Sequence, residues 1–186
     1  MNVSLARGGA RSARVALALL CAAALGACAE PDVSHYAAER PSLDLQKFFA
    51  APTRAWGMFQ GRSGEVQKRF TVTITSHGGG DLLVLDEHFA YSDGKTQDRE
   101  WTLKRAADGV WHGTAADVVG EALGRVAGNA LNWRYTLRQP VGDTTYDLDF
   151  DDWMFLMDDN TLINRARVSK FGIEVGQVTL FFRTPA

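Results

Sequence analysis

Tyr146-Asp147-Leu148-Asp149-Phe150-Asp151-Asp152-Trp153-Met154-Phe155-Leu156-Met157, the polar tip Asp158-Asp159-Asn160-Thr161 and the return from Leu162 to Phe182 form the segment around which the chain must be fitted. A long apolar and aromatic ribbon that alternates with acids, folds back at a polar tip and returns is a β-hairpin pattern. Its bulk demands a large facing surface, which the earlier strands must supply.

Those strands follow one another with short turns. Ala55–Gln60 is the first, with Gly57 suggesting close approach by another backbone. Phe70, Val72 and Ile74 alternate with threonines up to the break at Ser76-His77-Gly78-Gly79-Gly80. Leu82–Tyr91, Thr96–Arg105 and Val110–Thr114 are separated by Ser92-Asp93-Gly94 and Ala107-Asp108-Gly109. Leu131, Trp133, Tyr135 and Leu137 then alternate with Asn132, Arg134, Thr136 and Arg138. Asp-Gly turns at even spacing predict an all-β antiparallel up-and-down meander of about eight to ten strands, closing as a barrel. One or two helical turns over Ser42–Phe49, with Ser42 as N-cap, would plug one end. From Gly120 to Ala130 every second residue is small. Read as a strand, this face either leaves room for a ligand or, the favoured reading, lets a neighbour pack tightly.

The chain has 186 residues, and its N-terminus carries a sorting pattern. Arg7, Arg11 and Arg14 precede an uncharged apolar run, Val15–Leu25, of the length of a secretory signal. Leu25-Gly26-Ala27-Cys28 resembles the lipobox of bacterial lipoproteins, in which the cysteine receives the lipid. The expected organisation is a lipoprotein signal peptide over residues 1–27, a lipidated tether over 28–41 and a barrel domain over 42–186. Two or three acyl chains on Cys28 would give stable membrane attachment where one would be marginal. Cys21 falls inside the apolar run, so a mature chain keeps one cysteine and forms no internal disulfide. Ala29 after the cysteine resembles an outer-membrane sorting position, which places the protein in the cell envelope, on the periplasmic face of the outer membrane.

Beyond residue 27 the chain retains 17 of its 20 basic residues and all 22 acidic ones, a mild acidity that argues against nucleic acid as a partner. Asp147, Asp149 and Asp151 match the first positions of a calcium loop. Asp152 and Trp153 follow where a glycine is required, so that reading fails and the acids read as solvated groups on a barrel exterior. Asp152 shares its parity with Leu148, Phe150, Met154 and Leu156, an apolar face, and a buried acid needs a partner. Asn164 or Arg165 on the returning strand could supply it, as an internal polar site or as a structural pair that sets the hairpin register. His35, His77, His88 and His112 lie far apart without metal-ligand spacing. No nucleophile elbow or phosphate loop occurs, and no metal or other cofactor is implied.

Ala55–Gly64, Leu85–Gly94, Gly128–Tyr135, Phe150–Asp159, Asn164-Arg165 and Ser169–Gly172 together resemble the DUF3833 family of bacterial lipoproteins, from about Leu43 to Arg183. The resemblance implies an exported, lipocalin-like lipoprotein, in a family often encoded near enzymes that modify membrane fatty acids. It carries over no catalytic residue, and Trp56-Gly57 reverses the Gly-x-Trp order of lipocalins. The expected function is to bind or carry a lipid or other small apolar molecule, with Trp133, Tyr135, Trp153, Phe155 and the small-residue face as wall candidates. The alternatives are a solid barrel that meets a protein partner, and an enzyme acting on an envelope lipid through Asp152 with Arg165 or a histidine.

Overall fold

The computed structural model describes residues 31–185. The proposed signal segment and Cys28 lie outside the described residues. Ten strands follow in chain order: β1 (Thr53–Gly61), β2 (Val66–Gly79), β3 (Leu82–Tyr91), β4 (Thr96–Arg105), β5 (Trp111–Thr114), β6 (Ala122–Ala127), β7 (Ala130–Val141), β8 (Thr144–Asp158), β9 (Thr161–Lys170) and β10 (Ile173–Arg183). Each pairs antiparallel with the next, and β10 returns to β1, with Trp56 opposite Phe181 and Gly57 opposite Leu180. The meander is therefore a closed barrel, which leaves no sheet edge at the seam.

The two-residue period decides what lies inside. Val72 and Ile74 on β2, Leu83, Leu85 and Phe89 on β3, Trp101 and Leu103 on β4, and Leu131 and Trp133 on β7 join one buried core. The tight turns rest on glycines with positive φ, such as Gly94 at +83° in the Ser92-Asp93-Gly94 turn. β2 is longer than its sequence suggests. It continues through His77 and Gly78 because both still pair with β3, opposite Val84 and Leu83, and the chain reverses only at Gly80-Asp81.

A one-turn helix, Leu45–Phe48, closes one end. Its N-cap is Asp44 rather than Ser42: the Asp44 carboxylate accepts from the Gln46 and Lys47 backbone N–H groups at 2.9 and 3.2 Å. Leu43, Leu45, Phe48 and Phe49 enter the core, and the Ser76 hydroxyl donates to the Phe49 carbonyl. The plug is thus bonded to the strands that it covers.

The described part of the expected tether is bound to the barrel. A 3-10 turn, Val33–Tyr36, lies against its outside, where the Tyr36 ring meets Phe155 at 5.1 Å and Trp153 at 5.9 Å. Gly128, at φ +54°, lets the Tyr36 carbonyl approach so closely that any Cβ would collide with it. The small-residue segment is divided by a turn at Gly128-Asn129: Ala122–Ala127 forms β6, and Ala130 opens β7. Its inner face is packed, since a Cβ at Gly124 or at Gly113 on β5 would meet the Trp133 indole. Tight packing, not an opening, explains these glycines. At Gly57 the close neighbour is the Phe70 ring rather than a backbone.

β5 and β6 are short and stop halfway up the wall. Thr114 of β5 sits opposite Thr102, and Leu123 of β6 opposite Arg134, so the upper parts of β4 and β7 have no strand between them. The loop 115–121 fills that interval. Val118 bridges to Leu137, the Val119 N–H donates to the Thr136 carbonyl, and the Arg138 N–H donates to the Asp117 carbonyl.

Candidate functional site: an internal cavity with a polar belt

The barrel is not solid. A cavity of about 700 Å³ runs inside it, within the roughly 300–1,000 Å³ typical of ligand pockets. Leu45 and Phe49 form its floor. At the other end the lining reaches exposed Lys68, Lys95, Pro140 and Val141 beside the turns after β3 and β7, and this is the mouth. The walls are mainly apolar, with Phe70, Phe89, Leu148, Phe150, Val178 and Leu180 among them. Aromatic contacts stiffen one side: Trp101 meets Trp133 at 5.7 Å and Tyr135 at 5.4 Å edge-on, and Tyr135 stacks on Phe150 at 5.0 Å.

Polar side chains interrupt this lining at mid-height. Asp152 on β8 is only 5% exposed, and its Oδ2 accepts from the Tyr135 hydroxyl at 3.0 Å. Burial pushes the Asp152 carboxyl up to about 7, and only the Tyr135 hydrogen bond and Arg99 oppose it appreciably. Burial, and then the neighbouring Asp152, also hold the Tyr135 hydroxyl well above its usual value. On the facing wall Arg99 of β4 donates from Nε and Nη2 to Asp117, at 3.0 and 2.8 Å to Oδ2, while its Nη1 stands 3.7 Å from Glu87 Oε2. Burial lifts Glu87 to about 7 in spite of that arginine. Burial works against the Arg99 charge, but Glu87 and Asp117 outweigh it and hold the guanidinium protonated. The Arg99–Asp117 pair also fastens the 115–121 loop into the wall.

Of the residues singled out in the sequence, Trp133, Tyr135, Asp152 and Asn164 line the cavity. Trp153, Phe155 and Arg165 do not. β7 and β8 pair without a register shift from Ala130↔Phe155 to Val141↔Thr144, so the inward face of β8 is the even one, and Trp153 and Phe155 face outward beneath Tyr36. Arg165 is likewise on the outer face, where its Nε donates to Gln177. The partner of Asp152 is Tyr135, from the preceding strand rather than the returning one. The outer acids form a cross-strand ladder, with Asp151 held by Arg134 and Arg167, Asp149 by Thr136 and Asp147 by Arg138. His77, His88 and His112 pair separately with Asp86, Asp98 and Glu121, so none joins Asp152 in an acid–base pair. Among the described residues no group of three His, Cys, Asp or Glu side chains could hold a metal ion.

The model of the family described as "Protein of unknown function (DUF3833)" matches residues 22–184. The chain belongs to the DUF3833 family. No curated protein matches it. For this DUF3833 chain the sequence reading missed Glu87, Arg99 and Asp117. A pointer existed for two of them, since Arg99 shares its parity with Trp101 and Leu103, and Glu87 with Leu85 and Phe89. A charge on an apolar parity marks an internal polar position. Asp117 had no such pointer, because it lies in a loop without periodicity.

Proposed function

We propose that this protein is a membrane-anchored envelope lipoprotein whose barrel binds a single lipid or other small apolar molecule. The observation that carries the reading is the cavity: about 700 Å³, apolar and aromatic in its walls, plugged at one end and open at the other. A barrel serving only as a rigid scaffold would fill this space with side chains at normal packing density. The lipobox-like Leu25-Gly26-Ala27-Cys28 supports attachment through Cys28, five residues before Val33.

Native mass spectrometry with lipid extraction, on the protein purified from its own envelope, tests this reading. A fatty acid, acylglycerol, phospholipid or isoprenoid at near one-to-one occupancy is the expected result. Val178→Trp, which fills the cavity from β10, should lower that occupancy at least tenfold while the barrel stays folded. A folded wild-type protein that carries nothing and takes up no apolar fluorescent probe would refute the proposal.

A further inference from the structure

One level of the barrel's outer face is apolar across four neighbouring strands. In register, Trp56 on β1 lies opposite Phe181 on β10, Phe181 opposite Ile163 on β9, and Ile163 opposite Phe155 on β8. At about 4.8 Å between strands, this row spans roughly 15 Å of wall. Trp56, Phe181 and Ile163 are 42%, 37% and 36% exposed, and Phe155 is half-buried. The Trp56 and Phe181 rings meet at 6.1 Å, and Trp153 stacks on Phe155 at 6.2 Å. On the strands to either side the outward positions are polar, with Thr71 and Thr73 on β2 and Asn132 and Arg134 on β7. Single exposed apolar side chains are ordinary on a protein surface, but four in one cross-strand row form a patch.

Cations border the row on both sides. Arg54 and Arg183 lie opposite each other on one side, and Arg165 lies opposite Trp153 on the other. Like charges set opposite each other across strands repel. Asp158 is within electrostatic reach of Arg183, but Arg54 stacks over Trp56, 5.1 Å from its ring centre, and Arg165 bonds to the neutral Gln177. An aromatic row edged by arginines that lack carboxylates complements the headgroup level of an anionic bilayer, where rings settle at the interface and guanidinium groups meet phosphates. The N-terminal segment points to the same occupant. Tyr36, which packs on Trp153 and Phe155, follows Cys28 by eight residues, and eight residues extend over at most about 28 Å. A bilayer that holds a lipidated Cys28 is therefore within that reach of the row. A protein partner fits less well, because four strands by two residues of height offer roughly 200–300 Å² against about 800 Å² per partner in a stable protein interface.

We infer that this outer face, Trp56, Phe181, Ile163 and Phe155 with Arg54 and Arg165 beside them, is a docking surface for an anionic phospholipid bilayer and lays the barrel on the membrane that carries its anchor. This rests on the anchoring proposed above and adds an orientation to it. So small a face binds reversibly by itself, and it orients a barrel that the acyl chains retain.

The test uses the full lipidated chain, whose Cys28 thiol is taken up by its lipid, in vesicles of phosphatidylethanolamine with a minor share of phosphatidylglycerol. An environment-sensitive fluorophore is attached at Ile163→Cys or, as a control, at Lys104→Cys on β4, which stands across the strand ring from β9. At position 163 the emission should shift to the blue and fall about twofold or more when the phospholipids carry brominated chains, while at position 104 it stays that of a dye in water. Adding Trp56→Ser and Phe181→Ser, with the circular dichroism unchanged, should return the label at position 163 to water-like emission while the protein stays on the vesicles. Water-like emission at both positions, on vesicles that retain the protein, overturns the inference and leaves the anchor. So does a blue shift at position 163 that brominated chains do not quench, which marks contact with a second copy. Quenching that survives the double substitution overturns the assignment to this row. A chain that carries no lipid and stays off the vesicles overturns the anchoring and the orientation with it.

Discussion

Asp152→Asn separates the cost of burying this carboxyl from its packing. In the folded barrel the group is raised from 3.8 to about 7 by burial, so between those values the folded protein holds a proton that the unfolded chain has released. Its contribution to stability is therefore full below about pH 4 and is lost as pH rises through 7. The loss is about 1.4 kcal/mol per pH unit within that window, and roughly 2–3 kcal/mol between pH 5 and pH 8. Tyr135, Arg99, Glu87 and Asp151 act on the group electrostatically, and Glu87, itself raised to about 7, adds a decline of the same sign. Asparagine keeps the shape and an oxygen for the Tyr135 hydroxyl but cannot ionise. Urea unfolding followed by tryptophan fluorescence, at pH 5, 6, 7 and 8, measures the difference. Wild type should lose stability over this range, and the variant should lose roughly 2–3 kcal/mol less and become the more stable at pH 8. Parallel curves for the two proteins would show that Asp152 is ionised and well solvated in the folded state, against the reasoning above.

Gly124→Val places a side chain where the Trp133 indole lies, and should cost about 1–3 kcal/mol and alter the near-ultraviolet circular dichroism; an unchanged melting temperature would contradict the packing. Asp117→Ala removes the bidentate partner of Arg99 and should loosen the 115–121 loop, raising amide exchange at Val119 and Arg138 and speeding probe release. Unaltered exchange there would mean that the ion pair does not hold the wall. Cys28→Ser should move the protein from the membrane fraction to the soluble one; retention on the membrane would exclude anchoring through this thiol.

Much of the barrel is legible in the chain because a strand states its own period. Thr96–Arg105 and Leu82–Tyr91 were bounded by their turn residues alone, since Asp-Gly pairs reverse the chain with little help from elsewhere. β2 is longer than its sequence pattern indicates because His77 and Gly78 have poor strand propensity and are kept extended by pairing with β3. The internal site was partly legible. Asp152 stood out as an acid on an apolar parity, and so did the wish for a partner. Arg165 was the wrong neighbour because adjacent residues on a strand face opposite sides, and a partner on β9 facing inward had to be even-numbered.

The sequence by itself determined the order of the strands, their antiparallel turns, the plug and the alternation that sets each strand's two faces, because all of these depend on neighbours within a few residues. Only the tertiary structure decided that β10 closes on β1, that Trp133 rather than a ligand covers Gly113 and Gly124, and that Trp153 and Phe155 lie outside beneath Tyr36. From Trp153 to Met157 both faces of β8 are apolar, so local hydrophobicity there does not tell inside from outside; the choice falls to what covers each face, Tyr36 over Trp153 and Phe155 and Tyr135 against Phe150 and Asp152, both supplied from elsewhere in the chain.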